Sequence, residues 1–301
     1  MENKPTVGFI GLGTIGGPMA RNIVGKGFAL VVFDLDQRKV ADLLALGAQA
    51  RGTAAEVAAA SDITITMVPD APDVEKVALG AGGVLEGIRP GSIYVDMSTV
   101  DPGTTRKVGA RIAEKGARMV DAPVARTVEH AKAGTLAIMT GGDPADVEAV
   151  MPVLRAMGDT FTHCGPLGNA HAMKLVNNFI SAGIMALHAE ALTFGVKAGL
   201  TLEDIQKLVM STFAGSRQLG ENLPGKAFKG DFSPGFFTSL SRKDQRLALT
   251  LAREGGIDTP VGRGVYEALD QACKAGYERN DFTSVFLVRE AEAGVEVRLQ
   301  P

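Results

Sequence analysis

Lys174 is followed by Asn177, Asn178 and Ser181, at intervals of three, four and seven residues. On a helix of about 3.6 residues per turn these four side chains share one face. A lysine and two amides on an inward face are costly to bury unless a ligand or a polar network satisfies them. An ammonium within hydrogen-bond reach of a carbonyl oxygen can protonate the alkoxide that forms when an aldehyde is reduced. It also stabilises the negative charge that develops there, while a neighbouring amide orients lysine and substrate oxygen. A plainer reading makes Lys174 a solvated helix-face lysine and the asparagines a local pair. What precedes this helix decides between the two.

The first half of the chain alternates strand and helix. Apolar runs over 6–11, 29–33, 63–68, 92–97, 118–122, 136–140 and 160–163 read as strands, most of them suited to burial in a parallel sheet. Thr53-Ala-Ala-Glu56 is a capping box, and Asp101-Pro102 and Asp143-Pro144 each place an N-cap before a first-turn proline. Repeated βα units imply a doubly wound parallel sheet with helices on both faces. After Gly168 the pattern changes. Residues 169–198 contain no proline and keep helical spacing, and Gly199 stops the run before Thr201 caps the next helix. Helical patterns continue over 241–254, 261–275 and 283–292. The expected fold class is therefore α/β. A dinucleotide-binding domain should cover 1–165 and an all-helical domain, for substrate and self-association, 166–301, with a long helix joining them.

Gly11-Leu-Gly13-Thr14-Ile15-Gly16 follows the first strand and opens the first helix. Gly11 permits the tight turn, Gly13 lets backbone approach a pyrophosphate, and Gly16 lets helix and strand pack closely. The helix N-terminus then offers free N–H groups to the phosphates. Asp34 ends the second strand, 18 residues past Gly16, where a carboxylate accepts the ribose hydroxyls and repels a 2′-phosphate. That favours NAD over NADP, with Arg38 nearby as a counterweight. Asp34 also reads as a helix N-cap, and the two roles are compatible.

The bulk numbers narrow the field further. The chain has 301 residues, 46% apolar and 22% charged, which is ordinary for globular domains. A net charge of −3 argues against nucleic acid or an anionic membrane as partner but permits a local pocket for a small anion. Two cysteines form no disulfide framework and suit a reducing cytosol. The four histidines have no metal-site spacing, so no metal is expected. The start lacks a charged-then-apolar export pattern, and the apolar runs read as too short to span a bilayer.

Taken together, these segments resemble the β-hydroxyacid dehydrogenase family, which includes 3-hydroxyisobutyrate dehydrogenases, tartronate semialdehyde reductases and sulfolactaldehyde reductases. The resemblance covers nearly the whole chain and rests on several motifs in one order. Gly8-Phe-Ile-Gly-Leu-Gly13…Gly16-Gly-Pro-Met-Ala20 is similar to its cofactor signature, and Asp96-Met-Ser-Thr99 to its strand-end motif beside the nicotinamide. Asp121-Ala-Pro-Val124 and Gly134-Thr-Leu136 flank its substrate loop, and Lys174-Leu-Val-Asn-Asn178 is similar to its catalytic-lysine motif. Lys243-Asp244 with Leu247-Ala248 is similar to its second-domain lysine motif.

The resemblance implies a Rossmann domain and a helical domain joined by a shared helix, assembled as dimers or tetramers. It implies Lys174 as general acid/base and Asn178 as the orienting amide, with Asn177 beside it. Ser98 and Thr99 would line the nicotinamide or substrate site, and Met67, Val68 and Pro69 the adenosine side. Lys243 would close over cofactor and substrate, with Phe237 packed nearby. The family's usual Ser-Gly-Gly after Pro-Val is replaced by Ala125-Arg126-Thr127, with His130 for another glycine and Ala170 for a glycine before the lysine. A guanidinium makes forked bonds to multi-oxygen anions, and this Arg-Thr pair resembles the sulfolactaldehyde reductases. Alternatively Arg126 turns outward to a surface acid. The leading expectation is thus reduction of sulfolactaldehyde, with 3-hydroxyisobutyrate and tartronate semialdehyde as alternatives. An imine reductase and a non-catalytic NAD-binding partner protein are the readings from other classes.

Overall fold

The computed structural model describes residues 4–299. Two compact units divide the chain between Lys174 and Leu175. The first unit opens with β1 (Val7–Ile10), α1 (Gly16–Gly25), β2 (Leu30–Phe33), α2 (Gln37–Leu44), β3 (Gln49–Ala50) and α3 (Ala54–Ala59). It continues through β4 (Ile63–Thr66), α4 (Ala71–Leu79), α5 (Val84–Gly87), β5 (Ile93–Asp96), α6 (Pro102–Ala113) and β6 (Arg118–Asp121). Then follow β7 (Val124–Ala125), α7 (Val128–Ala133), β8 (Leu136–Thr140), α8 (Pro144–Leu154), β9 (Gly158–His163) and the start of α9 (Asn169–Lys197).

Six strands pair in the order β3-β2-β1-β4-β5-β6, all parallel. Successive residues of a strand point to opposite faces, and both faces are packed. Phe9, Val32, Ile65, Val95 and Val120 meet Met19 and Ile23 of α1 and Val150 and Leu154 of α8 on one side. Ile10, Val31, Tyr94 and Met119 meet Val57, Val74, Val108 and Ile112 on the other. The last strands do not extend this sheet. Val124–Ala125 pairs antiparallel with β8, and β8 parallel with β9, as a separate three-stranded sheet. Pro123 has no N–H to continue the β6 ladder, so the chain turns away there. The anticipated single parallel sheet is therefore two sheets.

The caps follow local chemistry. Thr53 accepts from the Glu56 N–H at 3.1 Å, although the Glu56 carboxylate reaches back to the Gly52 N–H rather than to that of Thr53. Asp101 caps α6 and Asp143 caps α8. Asp36, not Asp34, caps α2 by accepting from the Arg38 N–H.

The second unit is helical: most of α9, then α10 (Leu202–Met210), α11 (Thr238–Glu254), α12 (Pro260–Ala272) and α13 (Val285–Ala293). Short 3-10 and π turns link α10 to α11 and α12 to α13. Its core gathers Met185, Ala189 and Leu192 of α9 with Leu269, Phe228 and Phe286. The last two rings meet edge to face at 6.5 Å, the arrangement their quadrupoles favour. At 29 residues α9 runs about 44 Å. By length and composition it is apolar enough to cross a bilayer, contrary to the expectation from the sequence. Its polar residues Lys174, Asn177, Asn178 and His188 and its packed Met185–Leu192 segment are those of a core helix.

Candidate active site

The turn after β1 is shaped by what its residues lack. Gly11 has φ +93°, and a Cβ there would stand 2.3 Å from the Met67 carbonyl oxygen. A Cβ on Gly16 would stand 2.0 Å from the Gly11 carbonyl oxygen. Gly13 differs: a Cβ there meets nothing within 4 Å, so its missing side chain leaves open space above the turn. Thr14 is exposed and Ile15 half-buried. The first turn of α1 has neither a capping side chain nor an acidic residue; Gly17 and Met19 donate to the Gly13 and Ile15 carbonyls and Pro18 has no N–H, so an anion would be met by the backbone leading into the helix. The buried Asp34 carboxylate accepts from the Leu12 N–H at 2.6 Å and the Asp36 N–H at 2.8 Å, which fixes it beside this turn. Arg38 is held by both oxygens of Asp36 at 2.9 Å. These features fit a dinucleotide with its pyrophosphate over Gly13 and its ribose at Asp34.

The ends of β4 and β5 adjoin the turn. Ser98 is fully buried: its hydroxyl accepts from the Val68 N–H at 3.0 Å, and its own N–H donates to Asp96 at 3.1 Å. Pro69 is exposed and Thr99 half-buried. His171, fully enclosed in the first turn of α9, contacts the Ser98 carbonyl at 3.0 Å through Nε2. Asp121 accepts from the Gly168 and His171 N–H groups at 2.8 and 2.9 Å and so caps α9 from the end of β6. Lys174 follows one turn later, half-buried.

In the loop between β7 and α7, Val124 is buried, Ala125 half-buried, and Arg126 and Thr127 exposed. Arg126 has φ +84° and is the one non-glycine residue with positive φ among the described residues. Its guanidinium donates to the Thr135 carbonyl at 2.5 Å, Asp159 at 2.7 Å and the Thr160 hydroxyl at 2.9 Å. The Thr160 hydroxyl first, and Arg126 after it, hold the Asp159 carboxyl below its ordinary range against partial desolvation. Thr127 bonds His130 at 2.9 Å, so the residue that replaces a usual glycine braces this loop.

In the second unit the Asn178 amide donates to the buried carboxylate of Asp244 at 2.5 Å, and Asn177 donates to the Asn178 carbonyl oxygen at 3.0 Å. Lys243 lies 3.0 Å from the same Asp244 carboxylate, with its side chain 11% exposed. Phe237, half-buried, is the N-cap residue of α11.

Residues 6–165 match the family described as the NAD binding domain of 6-phosphogluconate dehydrogenase, and residues 168–288 match that described as NAD-binding of NADP-dependent 3-hydroxyisobutyrate dehydrogenase. The chain belongs to the 3-hydroxyisobutyrate dehydrogenase-like family. It is 40% identical over 297 residues to the 2-(hydroxymethyl)glutarate dehydrogenase of Eubacterium barkeri, with 99% of each chain covered. It is 35% identical over 294 residues to the 3-sulfolactaldehyde reductase of Escherichia coli K12, covering 98% of this chain and 99% of that one. The solved 3-hydroxyisobutyrate dehydrogenase of Mycobacterium tuberculosis with L-serine matches with a TM-score of 0.88 at 30% identity, over 95% and 99% of the two chains.

This hydroxyacid dehydrogenase is thus an oxidoreductase with NAD as its cofactor. Within its first unit the fold gathers Gly11–Gly16, Asp34, Val68 and Ser98 at neighbouring strand ends. Within its second unit Asn178 and Lys243 converge on Asp244, and Asn177 joins through the Asn178 side-chain oxygen. Two roles escaped the sequence. Asp121 caps a helix 47 residues away, a distance with no local signal. His171 stands three residues before Lys174 and seven before Asn178, on the same face by spacing, but only the fold brings it to Ser98.

Proposed function

We propose that this dehydrogenase interconverts the primary alcohol of a short β-hydroxy acid and the matching semialdehyde, with Lys174 as general acid/base. The observation that carries this reading is the fixed Asn178. An amide has two N–H donors; Asp244 takes one, Asn177 pins the carbonyl oxygen, and the second N–H is left to orient a substrate oxygen. Lys174 precedes it by one helical turn and can protonate that oxygen as an ammonium during reduction or take up its proton as a free amine during oxidation. NAD, when bound, takes up or delivers the hydride. Lys243, screened from solvent and paired with Asp244, is assigned to close over cofactor and substrate beside Phe237. Thr99, Pro69 and Val68 are assigned to the cofactor.

The substrate class that fits best is a carboxylate-bearing primary alcohol of the kind named for the 40% relative, 2-(hydroxymethyl)glutarate, with its semialdehyde as the oxidised partner. Arg126 already serves three internal acceptors, so a small anion meets a guanidinium partly neutralised by Asp159. The Ala125-Arg126-Thr127 loop and the 35% relative favour sulfolactaldehyde as the second reading. Steady-state rates with NAD on 2-(hydroxymethyl)glutarate, 3-sulfolactate, 3-hydroxyisobutyrate and glycerate test both. A higher kcat/KM for 3-sulfolactate, abolished in Arg126→Ala, selects the second reading. Lys174→Ala should lower kcat by about 10³-fold or more on the preferred substrate, and unchanged turnover refutes the role of Lys174. We also assign a homodimer or homotetramer in the cytoplasm. Ile180, Leu187 and Phe194, seven residues apart on α9 and 55, 64 and 69% exposed, supply an apolar stripe for a second copy. Two free cysteines suit a reducing compartment.

A further inference from the structure

His171 has no part in the chemistry described so far, yet it is a fully buried imidazole with both ring nitrogens engaged. Its Nε2 lies 3.0 Å from the Ser98 carbonyl oxygen. A carbonyl oxygen only accepts, so Nε2 carries the proton. Its Nδ1 lies 2.6 Å from the Thr105 hydroxyl, which also bonds the Asp101 carbonyl oxygen at 3.2 Å. The Asp121 carboxylate lies 3.8 Å from Nδ1, beyond hydrogen-bonding range, and its oxygens receive the Gly168 and His171 N–H groups instead.

Two anchors thus act on the first turn of α9. Asp121 fixes where the helix begins along its axis. His171 fixes its rotation about that axis, because the ring joins the helix to the Ser98 turn and to α6. Ser98 also orders the end of β4 through the Val68 N–H. Three residues on, Lys174 projects about 60° around the axis and about 4.5 Å further along. Any slip in the rotation of α9 therefore displaces the lysine nitrogen relative to the strand ends.

We propose that His171 is a positioning residue for proton transfer, setting the angle of Lys174 against the Ser98–Thr99 turn through the Nε2–H bond to Ser98. The inference rests on Lys174 being the acid/base. Two variants of the full-length enzyme separate the links. His171→Gln places an amide N–H where Nε2 stood and can still reach Ser98. His171→Asn places its amide where Nδ1 stood, so it keeps Thr105 and loses Ser98. With NAD and the preferred hydroxy acid, the Asn variant should lose about 30- to 100-fold in kcat. Its KM for NAD should stay within about threefold, and its primary deuterium isotope effect should rise. The Gln variant should recover most of the lost turnover even if both melt at the same lowered temperature. An Asn variant as fast as the Gln variant overturns the inference, as does a loss of kcat that follows melting temperature in both. Lys174→Ala, assayed alongside, separates the two layers. Retained turnover there overturns the acid/base reading and this inference with it. Lost turnover there with an unaffected Asn variant overturns the inference alone.

Discussion

The turns after β1 and after β7 both use left-handed backbone, at Gly11 with φ +93° and at Arg126 with φ +84°. They reach it by opposite means. At Gly11 a side chain is excluded, because the Met67 carbonyl oxygen occupies its place. At Arg126 a side chain is present, and the strain of about 1–2 kcal/mol is offset by guanidinium bonds to Thr135, Asp159 and Thr160. The first turn presents bare backbone and suits a cofactor shared by every substrate. The second, the turn proposed to face the substrate, is shaped by one replaceable side chain, so an exchange there leaves the cofactor turn as it is.

The largest effect that can break this contrast is expected at Gly16. An alanine Cβ would collide with the Gly11 carbonyl oxygen, so Gly16→Ala should cost about 2–3 kcal/mol of stability and remove measurable NAD binding. Calorimetric melting and NADH fluorescence titration check both. Gly13→Ala sharpens the point, since its Cβ meets no protein atom within 4 Å. It should melt like the parent while its Kd for NAD rises about tenfold, roughly 1.4 kcal/mol. An unchanged Kd would show that no phosphate sits there.

A smaller effect is expected from Arg126→Gly. Relief of the left-handed strain and loss of an exposed ion pair worth about 0.2–1 kcal/mol should nearly cancel in the urea midpoint. The KM for the acid should rise about tenfold while that for NAD does not move; a parallel rise in both would erase the contrast between the turns. The smallest effect lies away from both turns. Burial lowers the pKa of His188 from its ordinary 6.5, so its neutral form supports the fold. That contribution is present above pH 6.5 and lost as pH falls through 6.5 toward the lower folded value. Urea midpoints at pH 7.5 and 5.5 should diverge less in His188→Gln than in the parent.

Features set by immediate neighbours were legible in the sequence. The caps at Asp101, Asp143 and Thr201 lie where side-chain chemistry puts them, and Gly199, with φ +94°, ends α9. The glycine turn was legible because few other residues tolerate its geometry. Features set by distant partners were not. Asp34 and Asp36 are equivalent as local cap candidates, and the Leu12 N–H, 22 residues from Asp34, separates their roles. Nothing near Val124 announces antiparallel pairing with Ile138. The acid that Arg126 engages is 33 residues away, on β9. In the lysine face, residue spacing brought out Asn178 but not the Asp244 that locks it from α11.

Because the division between the two units falls inside α9, this protein has no dispensable linker at its midpoint. Cutting there would leave the cofactor-binding half with a six-residue stub, Asn169–Lys174, far below the length at which a helix persists alone in water. The lysine turn would then rest on its Asp121 and His171 anchors alone, without the remaining helix to propagate it. Gene fragments ending at the boundary should yield a half that retains nucleotide affinity and holds Lys174 less firmly. Duplication or shuffling of the halves is therefore constrained to carry the whole rod along.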